Sequence, residues 1–385
     1  MRWFAVGELP MGPVNYFINS NYQMLARPIN YRPMGYVPSL DGLRCIAVLV
    51  VMFLHAHFQL GKSGSLGVDI FFTLSGFLIT TLLLEEYAEK GGICLKAFFT
   101  RRFFRLFPAL YLLLTILTIY LFLFLSGSVR NAVGFEILSS ALYINNISWL
   151  WGWGNQGLLL GHTWSLAVEE QFYIIWPLVL MVFIHLRFTK ALLGLLFMTV
   201  LFSWIGKSND IAGPILASLL HESIMIGCLG ALMRWYRMVN GVGEIVTLSS
   251  VMFLVIVGVF PFDFYQTLFD LGLRGWVAVI TVIAIFGLLE KPTGITSQLL
   301  GNRVFVFIGK ISYGLYLWHV PIFRLFKSHA HIDPTTAFLL KFVVVFGVSS
   351  LSWFLIEKKC TMIGRNLSRR IQQKAKQSLF KVSAS

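Results

Sequence analysis

Charge is the property this 385-residue chain has least of. Asp, Glu, Lys and Arg make up only 12% of it, whereas 57% of its residues are hydrophobic and its mean hydropathy is +0.75. A soluble globular domain carries about 25% charged residues, so the composition excludes that class. A membrane β-barrel needs alternating strands of about 10 residues, and the apolar segments here are about 20 residues long. The sequence therefore predicts an all-α, polytopic membrane protein.

Acidic residues and cysteines are also scarce. The chain has 17 Asp and Glu against 31 Lys and Arg, which gives a net charge of +14. In a membrane protein such basic residues lie in loops and tails and set the topology, so we expect no nucleic-acid partner. The four cysteines show no metal-ligand spacing. We therefore expect them to be structural, and we expect no metal ion.

Window hydropathy predicts about ten membrane spans. Lys and Arg concentrate in alternate loops and in the C-terminal tail, which predicts that both termini are cytoplasmic, and an even number of spans agrees. Residues 131–151 are predicted to form an external loop or a re-entrant piece. Residues 1–37 are taken as an N-terminal cytoplasmic tail, 38–357 as the transmembrane domain and 358–385 as a basic cytoplasmic tail. The predicted spans are 43–60, 66–86, 104–125, 163–186, 190–206, 213–234, 243–261, 272–289, 303–325 and 335–356.

Two ionisable residues stand in the first span, Arg44 and His55. They are eleven positions apart, which is about 20° more than three helical turns, so both lie on one stripe of the helix. At about 1.5 Å per residue, His55 is about 16 Å further along the helix than Arg44. Ionisable groups inside a span are costly unless they line a cavity, so this stripe is a candidate functional site.

The predicted topology separates the other polar residues by depth. Arginines gather at the inner mouth, where they suit a phosphorylated ligand from the cytosol. Imidazole and carboxylate groups fall in the middle or the outer half, where they suit proton transfer. The inner group comprises Arg44, Arg101, Arg102 and Arg105, and the outer group includes His55, Asp69, Ser75, Glu169, Glu170 and His319.

Five segments carry a resemblance to a known family. They are SLDGLRCIAVLVVMFLHA (39–56), GVDIFFTLSGFLIT (67–80), FFTRRFFRLFPAL (98–110), HTWSLAVEEQFYIIWPL (162–178) and IGKISYGLYLWHVPI (308–322). In order and spacing they resemble the successive signatures of the membrane acyltransferase-3 family, from about residue 40 to 357.

The resemblance implies a ten-helix bundle in a bacterial inner membrane. Such a protein moves an acyl group, usually acetyl, from cytoplasmic acyl-coenzyme A to a sugar or a lipid-linked saccharide outside, as in the modification of polysaccharides such as lipopolysaccharide. The family's helix 1 arginine and catalytic histidine fall on Arg44 and His55, and its arginine pair falls on Arg102 and Arg105. Because the chain ends soon after the tenth span, we expect no appended hydrolase-like domain.

The sequence departs from the family pattern at two places. The acid near the end of the match often precedes Lys-Pro, but Glu357 is followed by Lys358 and Lys359 without the proline, and Ala167 stands where Ser is common. Neither departure falls on a residue with a proposed chemical role.

The chemistry of coenzyme A fits the arginine-to-histidine stripe. Arg44, Arg102 and Arg105 would hold the phosphates, and Ser75 is also assigned to this cofactor-binding group, although a small residue there suits close helix packing as well. An extended pantetheine arm of about 15–20 Å would bring the thioester close to His55, given the rise of about 16 Å. His55 would act as a general base or as an acyl-accepting nucleophile, and the sequence leaves both open.

The remaining site residues are assigned supporting or acceptor-side roles. Asp69, Glu169 or Glu170 could orient the imidazole or stabilise its cation, as the third member of a catalytic triad does. His319, Tyr313 and Trp164 are assigned to the acceptor side.

The prediction is thus an O-acetyltransferase that uses acetyl-coenzyme A. An alternative from a different class is a transporter of an anionic substrate with a His and Glu proton relay.

Overall fold

A computed structural model describes residues 31–56, 66–150, 157–205, 221–259, 273–325 and 333–383. These ranges are helical and contain no strand, which confirms the all-α class. The α-helices in chain order are α1 Pro38–His55, α2 Leu66–Lys90, α3 Leu95–Phe124, α4 Gly127–Ala141, α5 Asn145–Leu150, α6 Trp164–His185, α7 Thr189–Ile205, α8 Glu222–Trp235, α9 Glu244–Val259, α10 Leu273–Glu290, α11 Ile295–Leu300, α12 Arg303–Lys310, α13 Ser312–Leu325, α14 Pro334–Ser352 and α15 Lys358–Ser383.

Several helices have the length and apolar character of membrane spans. Within the described ranges, four helical segments meet both requirements: Leu66–Lys90, Leu95–Phe124, Gly161–His185 and Thr335–Ala375. Two shorter apolar segments are Thr189–Leu201 and Glu244–Val259. These segments agree with an integral membrane protein. The count of ten spans and the orientation of the termini remain predictions. Parts of the predicted spans (57–60, 206, 213–220, 260–261 and 272) and most of the predicted N-terminal tail (1–30) lie outside the described residues.

The first helix differs from the predicted span 43–60 at both ends. It begins at Pro38, five residues before the apolar run. Proline is well suited to the first turn of a helix, and the carboxylate of Asp41 interacts favourably with the positive end of the helix dipole. Its last residue is His55. The imidazole therefore lies at the end of α1, whereas a span to residue 60 would have placed it further inside the helix.

Other segments also differ from the prediction in their secondary structure. The basic stretch before residue 104 belongs to α3, which begins at Leu95, so the arginines lie on a helix and not in a loop. Charged residues lower the windowed hydropathy, so the method placed the start of the span too late. Arg and Lys are nevertheless good helix formers, so the helix continues through them. Residues 131–150, predicted as an external loop or a re-entrant piece, lie largely in α4 and α5, and residue 151 is outside the described ranges. The predicted span 303–325 is divided into α12 and α13. The C-terminal tail is helical as α15.

Two apolar cores enclose the middle of the molecule. One is built mainly from α2, α6, α8 and α10, and the other from α1, α3 and α13. Val68, Phe71 and Tyr313 pack against both cores. The same three side chains line a cavity. The polar site therefore lies where the two cores meet.

In the first core, α2 and α8 cross with their backbones in contact. A Cβ atom on Gly76 would lie 2.1 Å from the carbonyl oxygen of Ile224, and one on Gly227 would lie 2.2 Å from that of Thr73. Neither position has room for a side chain, so the two backbones are in direct contact. This crossing fixes α2, which carries Asp69 and Ser75.

Candidate active site

Three imidazoles lie side by side where α1, α13 and the turn before α6 meet. His319 Nε2 is 3.2 Å from His55 Nδ1. The ring of His319 is also 5.1 Å from that of His162, measured between centroids. His319 is fully buried, His162 is buried and His55 is partly exposed. In the described part of the chain, no group of three or more His, Cys, Asp or Glu is arranged to hold a metal ion.

Sequence reasoning missed His162, although it quoted the motif that contains it. The residue lies in a short 3-10 turn, Gly161–Thr163, where helical periodicity gives no face to assign. Buried Glu136 holds the segment before this turn by accepting hydrogen bonds from the backbone N–H groups of residues 158–160 at 2.7–2.9 Å. Asn145 donates to the carbonyl of Leu160 at 3.0 Å. The sequence offered only an acidic residue, Glu136, within the segment predicted as a loop or re-entrant piece; its burial and its partners are visible only in the structure.

A cavity opens beside the histidines and contains Arg44. Within the described residues, Arg44 Nε is buried and has no hydrogen-bond partner. A buried guanidinium donor without a partner is costly, so the position favours an anionic group in this cavity. The cavity is lined by Arg44, Val68, Phe71, Phe72, Ser165, Leu166, Glu169, Ser312, Tyr313 and Tyr316.

Tyr316 joins this cavity to the histidines. Its side chain lines the cavity, and its hydroxyl donates to the carbonyl oxygen of His162 at 2.9 Å. Its own carbonyl oxygen lies 2.7 Å from His319 Nδ1. Ser165 is 2.5 Å from the Tyr316 hydroxyl. A molecule in the cavity would therefore lie one residue away from the histidine cluster.

Glu169 lies on the wall of the cavity and accepts two side-chain hydrogen bonds. The donors are the hydroxyls of Ser75 and Tyr173. The guanidinium of Arg102 stacks over the Tyr173 ring, 4.5 Å from its centroid. Ser75, expected on the cofactor side, therefore contacts the cavity wall through Glu169. These bonds hold Glu169 on the wall that also contains Arg44.

The cationic groups form one cluster. Arg105 interacts electrostatically with Arg44 and Arg102, and also with Glu169. Glu170 interacts with Arg102 and Arg105. The sequence predicted from depth that Arg44, Arg101, Arg102 and Arg105 gather at one mouth. The structure brings Arg44 and Arg102 within electrostatic range of Arg105, and Arg101 within range of Arg102.

Glu357 is a second residue that sequence reasoning left out of the site. It is buried at the end of a π-helical turn, Trp353–Glu357, and accepts a hydrogen bond from Ser352 Oγ at 2.8 Å. It interacts electrostatically with Arg105. The sequence signal was the motif acid itself, which was noted only for the missing proline after it.

Arg101 interacts electrostatically with Arg102, but its guanidinium is bound by other partners. Its guanidinium donates to Ser368 Oγ of α15 at 2.7 Å and lies 3.6 Å from Glu86. Glu86 also accepts from Gln372 of α15 at 2.8 Å. Arg101 therefore attaches α15 to the ends of α2 and α3.

Asp69, predicted to orient the imidazole, makes other contacts. It accepts a hydrogen bond from Ser223 Oγ at 2.7 Å and lies 3.9 Å from Arg274 Nε. These partners belong to α8 and α10. The ring of Phe72, which lines the cavity, packs against His221 with centroids 4.6 Å apart. Asp69 thus takes part in a polar cluster that contacts the start of α8.

The three residues assigned to the acceptor side are distributed around the cavity. Tyr313 lines it, and its hydroxyl donates to the carbonyl oxygen of Leu106 at 2.8 Å. Trp164 packs edge-on against Phe72, with ring centroids 6.1 Å apart. His319 contacts His55 directly. Their part in binding an acceptor remains a prediction.

The arrangement has the components of a group-transfer site for an anionic substrate. An arginine cluster with an unsatisfied donor can hold phosphate, and a partly exposed imidazole can remove a proton or accept an acyl group. Because Arg44 and His55 both belong to the continuous helix α1, their separation along its axis is about 16 Å.

Comparison with known proteins gives a family match and several relatives. A family model described as an acyltransferase domain matches residues 37–356. The peptidoglycan O-acetyltransferase OatA of Listeria monocytogenes is 32% identical over 353 residues, which cover 84% of this chain and 55% of the relative. YrhL of Bacillus subtilis, provisionally named a peptidoglycan O-acetyltransferase, is 30% identical over 374 residues, which cover 87% and 57%.

A provisionally named O-acetyltransferase of Staphylococcus aureus is 31% identical over 354 residues, covering 85% of this chain and 58% of the relative. The chain therefore spans a little over half the length of these relatives. No solved structure matches the chain.

Proposed function

Because the chain belongs to the acyltransferase-3 family, we propose that it is a membrane O-acetyltransferase that uses acetyl-coenzyme A to acetylate a hydroxyl of a cell-envelope glycan. The observation that carries the proposal is the buried Nε of Arg44, which has no hydrogen-bond partner among the described residues and lies on the wall of a cavity, on the same helix as His55. The printed names of the relatives, which are O-acetyltransferases, support the choice of acetyl.

The donor is proposed from the charge of the cavity. Arg44, Arg102 and Arg105 lie close enough to interact, and their mutual repulsion disfavours an empty site. The phosphates of coenzyme A would offset that repulsion with charge-assisted hydrogen bonds. A free anion of the same charge could bind there, but only a thioester on an arm of about 15–20 Å would place a reactive carbon near His55.

His55 is proposed to act as the general base. It takes the proton from the acceptor hydroxyl as that oxygen attacks the thioester carbon. The new C–O bond forms, the C–S bond breaks, and the imidazolium returns the proton to the coenzyme A thiolate.

The acceptor and the cellular location are proposed from the relatives. Two of them are named for peptidoglycan, so a peptidoglycan fragment is the first acceptor to test. The protein would lie in the bacterial inner membrane, with the arginine cluster toward the cytosol and the acceptor on the other side.

The test follows thiol release from labelled acetyl-coenzyme A by the full-length protein in nanodiscs, with and without a soluble peptidoglycan fragment. We expect His55→Ala to lower the rate by about 100-fold or more, since a general base contributes roughly 10²–10⁴. Coenzyme A binding should persist, because the arginines remain. His185→Ala serves as the control, since that histidine is exposed at the end of α6.

The other outcomes separate the alternatives. Label that stays on wild-type protein without acceptor indicates an acyl-histidine intermediate in place of general-base catalysis. Full thiol release by His55→Ala excludes the assigned role of His55. Failure of the wild type to bind coenzyme A excludes the donor and favours the transporter, which vesicle uptake of a labelled anion would then test.

A further inference from the structure

His319 is held in one orientation by its own helix. Its Nδ1 atom lies 2.7 Å from the carbonyl oxygen of Tyr316 and 3.2 Å from that of Leu315. Its Nε2 atom lies 3.2 Å from Nδ1 of His55. The side chain is fully buried, so water does not compete for these bonds.

The backbone contacts determine where the proton of His319 resides. A carbonyl oxygen can only accept a hydrogen bond, so Nδ1 of His319 carries the hydrogen. A neutral imidazole has one N–H group, and its other nitrogen is then an acceptor. Nε2 of His319 therefore presents a lone pair to His55.

The same reasoning determines the tautomer of His55. Its Nδ1 atom lies between two acceptors, Nε2 of His319 at 3.2 Å and the carbonyl oxygen of Val51 at 3.1 Å. Nδ1 of His55 must therefore carry the hydrogen. Nε2 of the neutral ring is left unprotonated, and this is the form a base or a nucleophile requires.

We propose that His319 is the positioning residue that fixes His55 in the Nδ1-protonated tautomer. The functional consequence rests on the proposed acyl transfer. When Nε2 of His55 takes a proton, its Nδ1–H group continues to donate to His319, which stabilises the imidazolium. His319 thus does with a neutral ring what a carboxylate does in a triad. The carboxylates suggested by the sequence have other bonds, Asp69 to Ser223 and Glu169 to Ser75.

His162 provides a natural comparison. It is also buried and lies against His319, but its Nε2 contacts the carbonyl oxygen of Leu317 at 3.2 Å. Its hydrogen is therefore on Nε2, and it packs beside the pair through ring contact. A variant at 162 perturbs the packing, whereas a variant at 319 also removes the acceptor for His55.

Two substitutions at 319 separate hydrogen bonding from packing. In His319→Gln, the amide oxygen can accept from His55 near the position of Nε2. In His319→Leu, similar volume remains but no acceptor does. We expect His319→Leu to lower kcat for thiol release by about 100-fold or more, as loss of a tautomer-fixing partner does elsewhere, with the KM for acetyl-coenzyme A nearly unchanged. His319→Gln should stay within about tenfold of wild type.

The tautomer itself is measured by ¹⁵N NMR of histidine-labelled protein in nanodiscs, without substrate. The His55 signals are assigned by their loss in His55→Ala. We expect a protonated Nδ1 and an unprotonated Nε2 in wild type and in His319→Gln, and a mixture of tautomers in His319→Leu. Coenzyme A binding and a monodisperse elution profile verify that each variant is folded.

An unchanged His55 spectrum in His319→Leu, or a wild-type kcat for that variant, overturns the proposal. A failure of the enzymatic function looks different. In that case the wild type releases no thiol, but its spectrum shows the Nδ1-protonated form of His55 and the spectrum of His319→Leu shows a mixture of tautomers. The tautomer assignment is then correct and the proposed acyl transfer is wrong.

Discussion

Arg44 is a member of the cationic cluster and Arg101 lies beside it, and the two arginines differ in their hydrogen-bond partners. Arg44 has a buried donor without a partner in the described ranges, whereas Arg101 is satisfied by Ser368 and Glu86. We predict that Arg44→Ala weakens coenzyme A binding by about 10- to 100-fold, since a charge-assisted hydrogen bond contributes about 1.5–3 kcal/mol. Calorimetric titration of coenzyme A into the purified protein measures this change.

Arg101→Ala is the matched control for that titration. Its ion pair with Glu86 is partly exposed and worth about 0–1 kcal/mol, and Glu86 keeps Gln372 and Lys90 as partners. The dissociation constant of coenzyme A should therefore stay within about twofold of wild type. If both substitutions weakened coenzyme A binding equally, the arginines would act only through their net charge. The assignment of a specific coenzyme A contact to Arg44 would then be wrong.

At the scale of the element, the crossing of α2 and α8 depends on two glycines. We predict that Gly76→Ala and Gly227→Ala each destabilise the protein, because their Cβ atoms would lie 2.1 and 2.2 Å from carbonyl oxygens of the facing helix. Overpacking of this kind costs about 1–3 kcal/mol or more, since backbone must move. Thermal unfolding in detergent should show a lower Tm for both variants.

Gly194→Ala is the control for these two substitutions. Gly194 lies inside α7, where a Cβ atom would meet nothing within 4 Å. Alanine is the better helix former by about 1 kcal/mol, so this variant should be as stable as wild type or more stable. A Tm for Gly76→Ala equal to that of Gly194→Ala would contradict the close contact of α2 and α8.

The site was predictable from the sequence where it depends on one helix. Arg44 and His55 were predicted to share a stripe because helical geometry relates them, and both belong to α1. The contact between His55 and His319 joins two residues that are 264 positions apart, and no local sequence pattern predicts it. Asp69 illustrates the same limit, since its partners Ser223 and Arg274 lie on helices far along the chain.

The fold was predictable to the extent that windowed hydropathy follows it. The apolar segments were found, but α3 begins earlier than predicted because its first turns are amphipathic, with arginines among phenylalanines. Helices α4 and α5 fall largely in residues 131–151, which were predicted as an external loop or a re-entrant piece because Gly and Asn lowered the hydropathy there. Glu136 stabilises that region by accepting hydrogen bonds from three backbone N–H groups, and composition does not show these tertiary contacts.

At the scale of the whole molecule, the direction in which the chain crosses the membrane can be tested through α15. The exposed face of α15 carries Lys358, Lys359, Arg365, Arg369, Arg370 and Lys374, and residues 358–383 contain no acid. Basic segments of this kind remain on the cytoplasmic side. We predict that Gln373→Cys, an exposed position on α15, reacts with a membrane-impermeant maleimide only in inside-out vesicles.

The labelling needs a background without competing thiols. Cys45, Cys94 and Cys228 are buried, so Cys360→Ser removes the one partly exposed cysteine of the described chain. That variant without Gln373→Cys gives the blank. Labelling of Gln373→Cys in intact spheroplasts would place α15 outside, and the arginine cluster next to it could then not draw its donor from the cytosol. Thiol release from added acetyl-coenzyme A should follow the same sidedness, appearing in inside-out vesicles and absent from intact spheroplasts, because donor binding and α15 share one end of the bundle.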